Sequence, residues 1–249
     1  MELCGININC HHVSDLLDFS QPKLLITVNA EAIVRAQTDR RLKTIINDNY
    51  SSIDGQIPLW LYRLTYKNDQ NLEKISGSEL IYSIPQFAAS KKYKVFLLGG
   101  RKDSNHGAIE KLREMYEGLE IDGYSPPNNP YPFPQEINDL IIEKIRTFKP
   151  HILFVGFGMG KQEFWEDDNY KLLKDLGVKL IIGCGGSFEF ASGKIKRAPK
   201  LVQNMGMEGL WRLAKEFKLF RLKRLLLSTK IFKYYFNHHI IGFRLNETN

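Results

Sequence analysis

The sequence predicts an α/β fold: a mostly parallel sheet with helices on both faces, followed by a basic helical segment. Three observations carry that expectation. Short apolar, β-branched runs alternate with stretches of helical periodicity. Three of the apolar runs end in glycine or small polar residues, at 99–100, 156–160 and 183–187. The charge is uneven. Lys194–Tyr235 holds twelve Lys/Arg and two Glu, a net +10, against +7 for all 249 residues, which leaves the rest of the chain at −3.

Leu24-Leu-Ile-Thr-Val-Asn-Ala30 reads as a buried strand. Glu31 to Asn47 follows as a helix, with Ile33, Val34, Leu42, Ile45 and Ile46 at helical spacing. Ser51-Ser-Ile-Asp-Gly55 is a turn signal, and Pro58 to Tyr66 a short helix with proline near its start. Lys94 to Gly100 is a strand, and Ser104 to Tyr116 a helix. Asp122 to Pro134 is rich in Pro, Gly and Asn and predicts a loop. Glu136 to Phe148 is helical and ends at Lys149-Pro150. His151 to Gly158 is a strand, Gln162 to Leu176 a helix, and Val178 to Gly186 a strand.

With 43% hydrophobic and 25% charged residues, the composition is that of a soluble globular protein with a real core. Cys4, Cys10 and Cys184 form no disulfide framework and suit a reducing cytoplasm. The first residues lack the basic and apolar regions of a signal peptide. No run approaches the roughly 18 apolar residues that span a bilayer, so membrane contact is expected to be peripheral. His11-His12 and His238-His239 have no third ligand nearby, and no metal site is expected.

Ligands of open α/β sheets bind outside the carboxyl ends of strands. Glycine there lets backbone N–H groups approach an anion, so three such ends together point to a phosphorylated ligand, against simple tight turns. The type of ligand is narrowed by what is missing. Gly156-Phe-Gly158-Met-Gly160 brings the third glycine of a dinucleotide fingerprint one position too early, which leaves a nucleotide-sugar oxidoreductase or epimerase as the runner-up. Gly160-Lys161 is followed by Gln162 rather than a hydroxyl residue, which excludes a P-loop. There is no Gly-x-Ser-x-Gly elbow. No Asp-x-Asp pair is present to hold a divalent ion, so leaving-group charge falls to Arg, Lys and backbone dipoles, and no cofactor is expected.

Longer stretches carry a family likeness. They are Gly158-Met-Gly-Lys-Gln-Glu-Phe-Trp165, Gly183-Cys-Gly-Gly-Ser-Phe-Glu-Phe190, Gly193-Lys-Ile-Lys-Arg-Ala-Pro-Lys200 and Gln203-Asn-Met-Gly-Met-Glu-Gly-Leu-Trp-Arg-Leu213. The N-terminal half adds Thr27-Val-Asn-Ala-Glu31, Ser52-Ile-Asp-Gly55 and Lys74-Ile-Ser-Gly77. Together they resemble the WecG/TagA/CpsF family of glycosyltransferases, over about residues 20 to 235. Gly160 and Lys74 stand where members usually have Pro and often have Arg.

The resemblance implies a Rossmann-like domain over residues 1–193 and a membrane-docking appendage over 194–249. It implies a UDP-sugar donor and a polyprenyl-diphosphate-linked sugar acceptor. The sugar is N-acetylmannosamine or a relative, transferred with inversion and without metal, for teichoic acid, common antigen or capsule. Asp54 becomes the general base, although Asp-Gly is also an ordinary turn pair. Thr27, Asn29 and Lys74 are expected to hold donor sugar or diphosphate, and Asn29 is equally suited to cap the next helix. Gln162 is expected on the sugar, whereas Glu163 suits the helix dipole. Gly185, Gly186, Ser187 and Glu189 are expected around the nucleotide. Lys194, Lys196 and Arg197, with Arg212, Arg221 and Arg224 beyond them, are expected against the diphosphates.

Glu208 to Phe236 alternates apolar and basic residues. Leu210, Leu213, Phe217, Phe220, Leu227, Ile231 and Tyr234 fall near one helical face. This is the pattern of a helix that lies on an anionic membrane surface, with no nucleic-acid-reading module in view. A peripheral position on the inner face of the cell membrane follows. A non-catalytic basic adaptor is the third reading, and would be indifferent to loss of Asp54.

Overall fold

The computed structural model describes residues 1–67, 71–215, 217 and 219–241, leaving out the side chains of Arg212, Lys215, Phe220, Ile240 and Ile241. In chain order the first elements are β1 (Glu2–Leu3), β2 (Ile6–Asn7), a 3-10 turn (Val13–Leu16), β3 (Lys23–Val28), α1 (Ala30–Ala36), α2 (Arg40–Asp48), β4 (Tyr50–Ile53) and α3 (Gln56–Thr65). Next come α4 (Gly77–Lys91), β5 (Val95–Gly99), α5 (Lys102–Met115), β6 (Ile121–Tyr124), α6 (Gln135–Phe148), β7 (Ile152–Gly156), α7 (Lys161–Asp175), β8 (Leu180–Gly183) and α8 (Ser187–Ala191). The chain continues through α9 (Lys200–Asn204), α10 (Glu208–Lys215), α11 (Leu219–Ser228), α12 (Ile231–Tyr235) and a π-helical turn (Phe236–Ile241).

The fold is α/β, as expected. Its two compact units interleave along the chain. Met1–Val13, Val28–Ile75 and Arg197–Asn249 form the first; Ser14–Thr27 and Ser76–Lys196 form the second.

The second unit contributes five of the six strands of the parallel sheet, in the order β3-β8-β7-β5-β6. Each neighbouring pair among them is parallel. β3, β5 and β8 are buried at every position, because a parallel strand covered on both faces has no solvent side. β6 is the exception. Only its first residue is fully buried, it lies at the end of the order, and it occupies the start of the stretch expected to be loop. α4 is an element the pattern does not announce, since Pro85 sits inside it. α6 ends as expected at Lys149, which takes the left-handed conformation just before Pro150.

The first unit joins β4 and the short β1–β2 ladder to two groups of helices. The single helix expected over residues 31–47 is two helices. Asp39 interrupts it with extended backbone, and its carboxylate accepts from the Leu42 N–H at 3.0 Å to cap α2. The turn expected over 51–55 shrinks to Asp54-Gly55, because Tyr50–Ile53 is strand. The basic segment runs as three short helices rather than one. Ile231 and Tyr235 turn inward, where the Tyr235 hydroxyl lies 2.9 Å from Thr65 Oγ1. Leu210, Phe217, Leu219, Leu226 and Phe232 turn outward. No helix among the described residues is long and apolar enough to cross a membrane.

Candidate active site

β5 reaches β6 through α5 on one side of itself, and β6 returns through α6 to β7 on the other side. The direction of chain travel reverses between β5 and β7, and such a switch point opens a crevice at the carboxyl ends of the strands. Gly99 and Gly156 face each other there, and the Gly100 N–H donates to the Gly156 carbonyl at 3.0 Å. The crevice floor is filled by aromatic rings. A side chain at Gly99 would meet the Phe157 ring at 2.7 Å, and one at Gly100 or Gly156 would meet Phe188 at 2.7 or 2.9 Å. These glycines make room for rings, not for a ligand. Gly158 and Gly185 differ: no described atom lies within 4 Å of the position a side chain would take. Of the glycine ends read from the sequence, these two face open space.

One side chain holds both. Gln162, in the first turn of α7, is buried, and its Oε1 accepts from the N–H groups of Gly158 at 3.2 Å and Gly185 at 3.1 Å. Its Nε2 donates to Glu163 Oε1 at 2.9 Å. Glu163 Oε2 accepts from the Gly160 N–H at 2.5 Å, so this carboxylate complements the start of α7. Gly160 has φ 88, a value closed to proline, whose ring fixes φ near −65°. The glycine that replaces the usual family proline therefore has a loop conformation of its own. The Thr27 hydroxyl donates to the Gly183 carbonyl at 2.9 Å and locks the ends of β3 and β8 together.

Under this network lies a buried acid that the sequence did not reveal. Glu166, one turn beyond Gln162, is fully buried, and neither carboxyl oxygen has a hydrogen-bond partner among the described residues. Burial first, and the Glu163 carboxylate second, push Glu166 well above the usual carboxylate range. The buried Cys184 thiol is also raised, by burial first and by Glu166 second. A methyl group on Gly183 would come within 2.8 Å of Gln162 Nε2 and 3.3 Å of both Glu166 oxygens. Glycine at 183 thus lets two polar side chains reach the back of the turn.

Further along in the same unit, Ser187 is buried, and its hydroxyl donates to the Cys184 carbonyl at 2.6 Å. Gly186 is exposed and Glu189 half-buried. Lys194 pairs with Asp103, and Lys196 is exposed.

The other expected site residues belong to the first unit. Asp54 is half-buried, and its N–H donates to the Val28 carbonyl at 2.9 Å, which ties the turn after β4 to the last residue of β3. Asn29 caps α1 by accepting from the Ala32 N–H at 3.0 Å. Lys74 is half-buried. Arg197 Nη2 donates to Gln203 Oε1 at 3.1 Å. Arg221 is half-buried, and the side chain of Arg212 lies outside the described residues. Arg224 reaches back 193 residues to Glu31, with Nε 2.5 Å from Oε2. Glu31 is 3% exposed and also holds Arg35 Nη2 at 2.8 Å. The Glu31–Arg35 spacing is legible as an i,i+4 pair, whereas nothing local points to Arg224.

The family model described as "Glycosyl transferase WecG/TagA/CpsF family" matches residues 1–242. The chain belongs to that family. It is therefore a glycosyltransferase-family enzyme, and the oxidoreductase and adaptor readings fall away. In this WecG/TagA/CpsF-family chain, Gly158 and Gly185 are open on their side-chain face while their N–H groups are held by Gln162. Of the three buried acids among the described residues, Glu31, Glu163 and Glu166, sequence reasoning overlooked Glu166 and Glu31. Glu166 shares the inward face of α7 with Gln162 and Asn169, and that polar run on a buried helix face was the available signal.

Proposed function

We propose that the enzyme transfers N-acetylmannosamine or a related sugar from UDP to a polyprenyl-diphosphate-linked sugar, with inversion at the anomeric carbon. The product serves a cell-surface polysaccharide: teichoic acid, common antigen or capsule. The enzyme works on the cytoplasmic face of the membrane, held there peripherally by its basic C-terminal segment. The observation that carries this reading is the pair of open glycines, Gly158 and Gly185, bridged by one buried amide in a chain of this family.

Asp54 takes the proton from the acceptor hydroxyl as its oxygen attacks the anomeric carbon. The bond from that carbon to the UDP oxygen breaks, and UDP leaves as an anion. Lys194, Lys196 and Arg197, with Arg212, Arg221 and Arg224, offset the diphosphate charge that a metal would otherwise neutralise. Gly185, Gly186, Ser187 and Glu189 border the nucleotide. Thr27, Asn29 and Lys74 serve the sugar and its phosphates. Gln162 serves the donor by fixing the two open turns. An anionic leaflet attracts the basic segment with about 1 kcal/mol for each Lys or Arg near the surface.

The test is UDP release from a panel of UDP-sugars with a short polyprenyl-diphosphate-GlcNAc analogue, with and without EDTA. Acceptor-dependent release from a mannosamine-type donor, unaffected by EDTA, is the expected result. Release from no UDP-sugar, or abolition by EDTA, would overturn the donor class or the metal-free step respectively.

A further inference from the structure

α3 carries large apolar side chains on both its buried and its exposed face. Pro58, Leu59, Leu61 and Tyr62 form its buried face. Trp60 and Leu64, four residues apart on the opposite face, are 47% and 60% exposed. Polar residues belong there if the face meets water. The same unit lays a second apolar surface beside it. Gly206, in the turn between α9 and α10, sits so close that a side chain on it would meet Ile57 at 3.3 Å and the Trp60 ring at 3.7 Å. Leu201, Met205, Met207 and Leu210 around that turn are 40% to 71% exposed. Two stretches far apart in sequence therefore contribute to one outward apolar patch. A patch of several large apolar side chains marks an interaction surface.

We infer that this patch is a membrane-inserting face, in which Trp60 and Leu64 of α3 enter the interfacial region of an anionic bilayer beside Leu201, Met205, Met207 and Leu210. The inference rests on the lipid-linked acceptor proposed above and extends the membrane contact from the basic segment to α3. Charge decides between a bilayer and a second copy of the chain. The patch stretch Lys200–Leu210 is itself balanced, one Lys against Glu208, but it lies within Lys194–Tyr235, whose net charge is +10, and exposed Lys200 stands next to Leu201. Two copies joined through this face would bring together the two basic segments that flank it, whereas anionic headgroups neutralise them. Tryptophan suits the boundary between headgroups and acyl chains.

Position adds a consequence for catalysis. Gly55 caps α3 and Asp54 precedes it, so Trp60 is about 9 Å along the helix axis from the proposed base at a rise of ~1.5 Å per residue. Seating α3 in the interface sets Asp54 at a fixed short distance from the plane where the acceptor diphosphate lies.

The experiment is co-sedimentation of the full chain with sucrose-loaded vesicles of equal parts phosphatidylglycerol and phosphatidylcholine, without any sugar nucleotide. The Trp60→Ser/Leu64→Ser double variant is expected to lose about tenfold or more in vesicle partition, the scale of removing two inserted apolar side chains. Trp60→Phe is expected to keep most of the binding, and an unchanged melting temperature for both variants keeps the comparison on binding. Parent protein that binds while the double variant binds equally well overturns the role of α3 and leaves the basic segment as the whole anchor. Parent protein that does not bind overturns the membrane reading itself. A dimer in sedimentation velocity that the double variant dissolves would assign the patch to a second copy instead.

Discussion

The glycine turns of the second unit and the basic face of the first treat their polar groups in opposite ways. Around Gln162 the side chains fold back on their own backbone. An amide, a hydroxyl and one carboxylate are spent on fixing Gly158, Gly160, Gly183 and Gly185. On the basic face Lys200, Lys223, Lys230 and Lys233 are exposed, and one of the links to the rest of that unit is an ion pair spanning 193 residues, Arg224 to Glu31. The first arrangement fixes geometry, as a reaction at one atom requires. The second leaves charge and apolar surface available, as association with a broad anionic surface requires. The difference teaches where rigidity is needed in this molecule and where it is not.

The largest effect is expected from the proposed base. Asp54→Asn keeps the shape of the turn and removes the proton acceptor, and sugar transfer should fall by about 10²–10⁴-fold, with UDP binding retained in a titration. A fall of less than about tenfold would take Asp54 out of that role. Next is the floor of the glycine turns. Gly183→Ala puts a methyl group against Gln162 and Glu166, and urea unfolding should show a loss of about 1–3 kcal/mol, with weaker UDP-sugar binding. Equal stability and affinity would mean that the fixed turns are not needed.

Glu166 gives a smaller effect with a definite sign. Its folded-state pKa is raised above the ordinary value near 4.5, so the folded state holds a proton that the unfolded state releases. Stability contributed by the protonated acid is fully present below pH 4.5 and is lost as pH rises through the raised folded value. The slope in that window is at most about 1.4 kcal/mol per pH unit. Glu166→Gln should flatten it, and Glu166→Leu should stabilise the protein by about 1–2 kcal/mol at neutral pH by removing an unpartnered buried acid. Denaturation across pH checks both. The smallest effect is expected at the ion pair. Arg224 is half-exposed and Glu31 keeps Arg35, so Arg224→Ala should cost about 0.5–1 kcal/mol, and less in ~1 M salt. A much larger loss would mean that the basic face is as firmly built as the glycine turns.

Much of the fold was legible because its signals are local. Each apolar run assigned to a strand of the second unit is a strand, and Lys149-Pro150 ended α6 where expected. The misses have physical causes. Asp39 carries the signature of a cap, but the apolar periodicity runs straight through it. β6 sits at the edge of the sheet and contains a glycine, so it lacks the buried, branched pattern of its neighbours. Pro85 argues against α4, which forms nonetheless. At the site, the glycine ends could be read from the sequence, but not which of them are open. That depends on where the rings of Phe157 and Phe188 go, and only packing decides it. Glu166 and the Arg224–Glu31 pair depend on burial and on contacts between distant segments, which no window of sequence contains.

The interleaving of the two units has a consequence for how the protein is made. A chain emerging from the ribosome delivers every residue of the second unit by Lys196, while the first unit still lacks everything from Arg197 onward. The proposed donor-binding turns can therefore mature during synthesis. The unit that carries Asp54 is finished later, because its last stretch begins at Arg197, after every residue of the second unit. The unit with the proposed base is thus completed only once the stretch that begins at Arg197, the proposed membrane anchor, has been made.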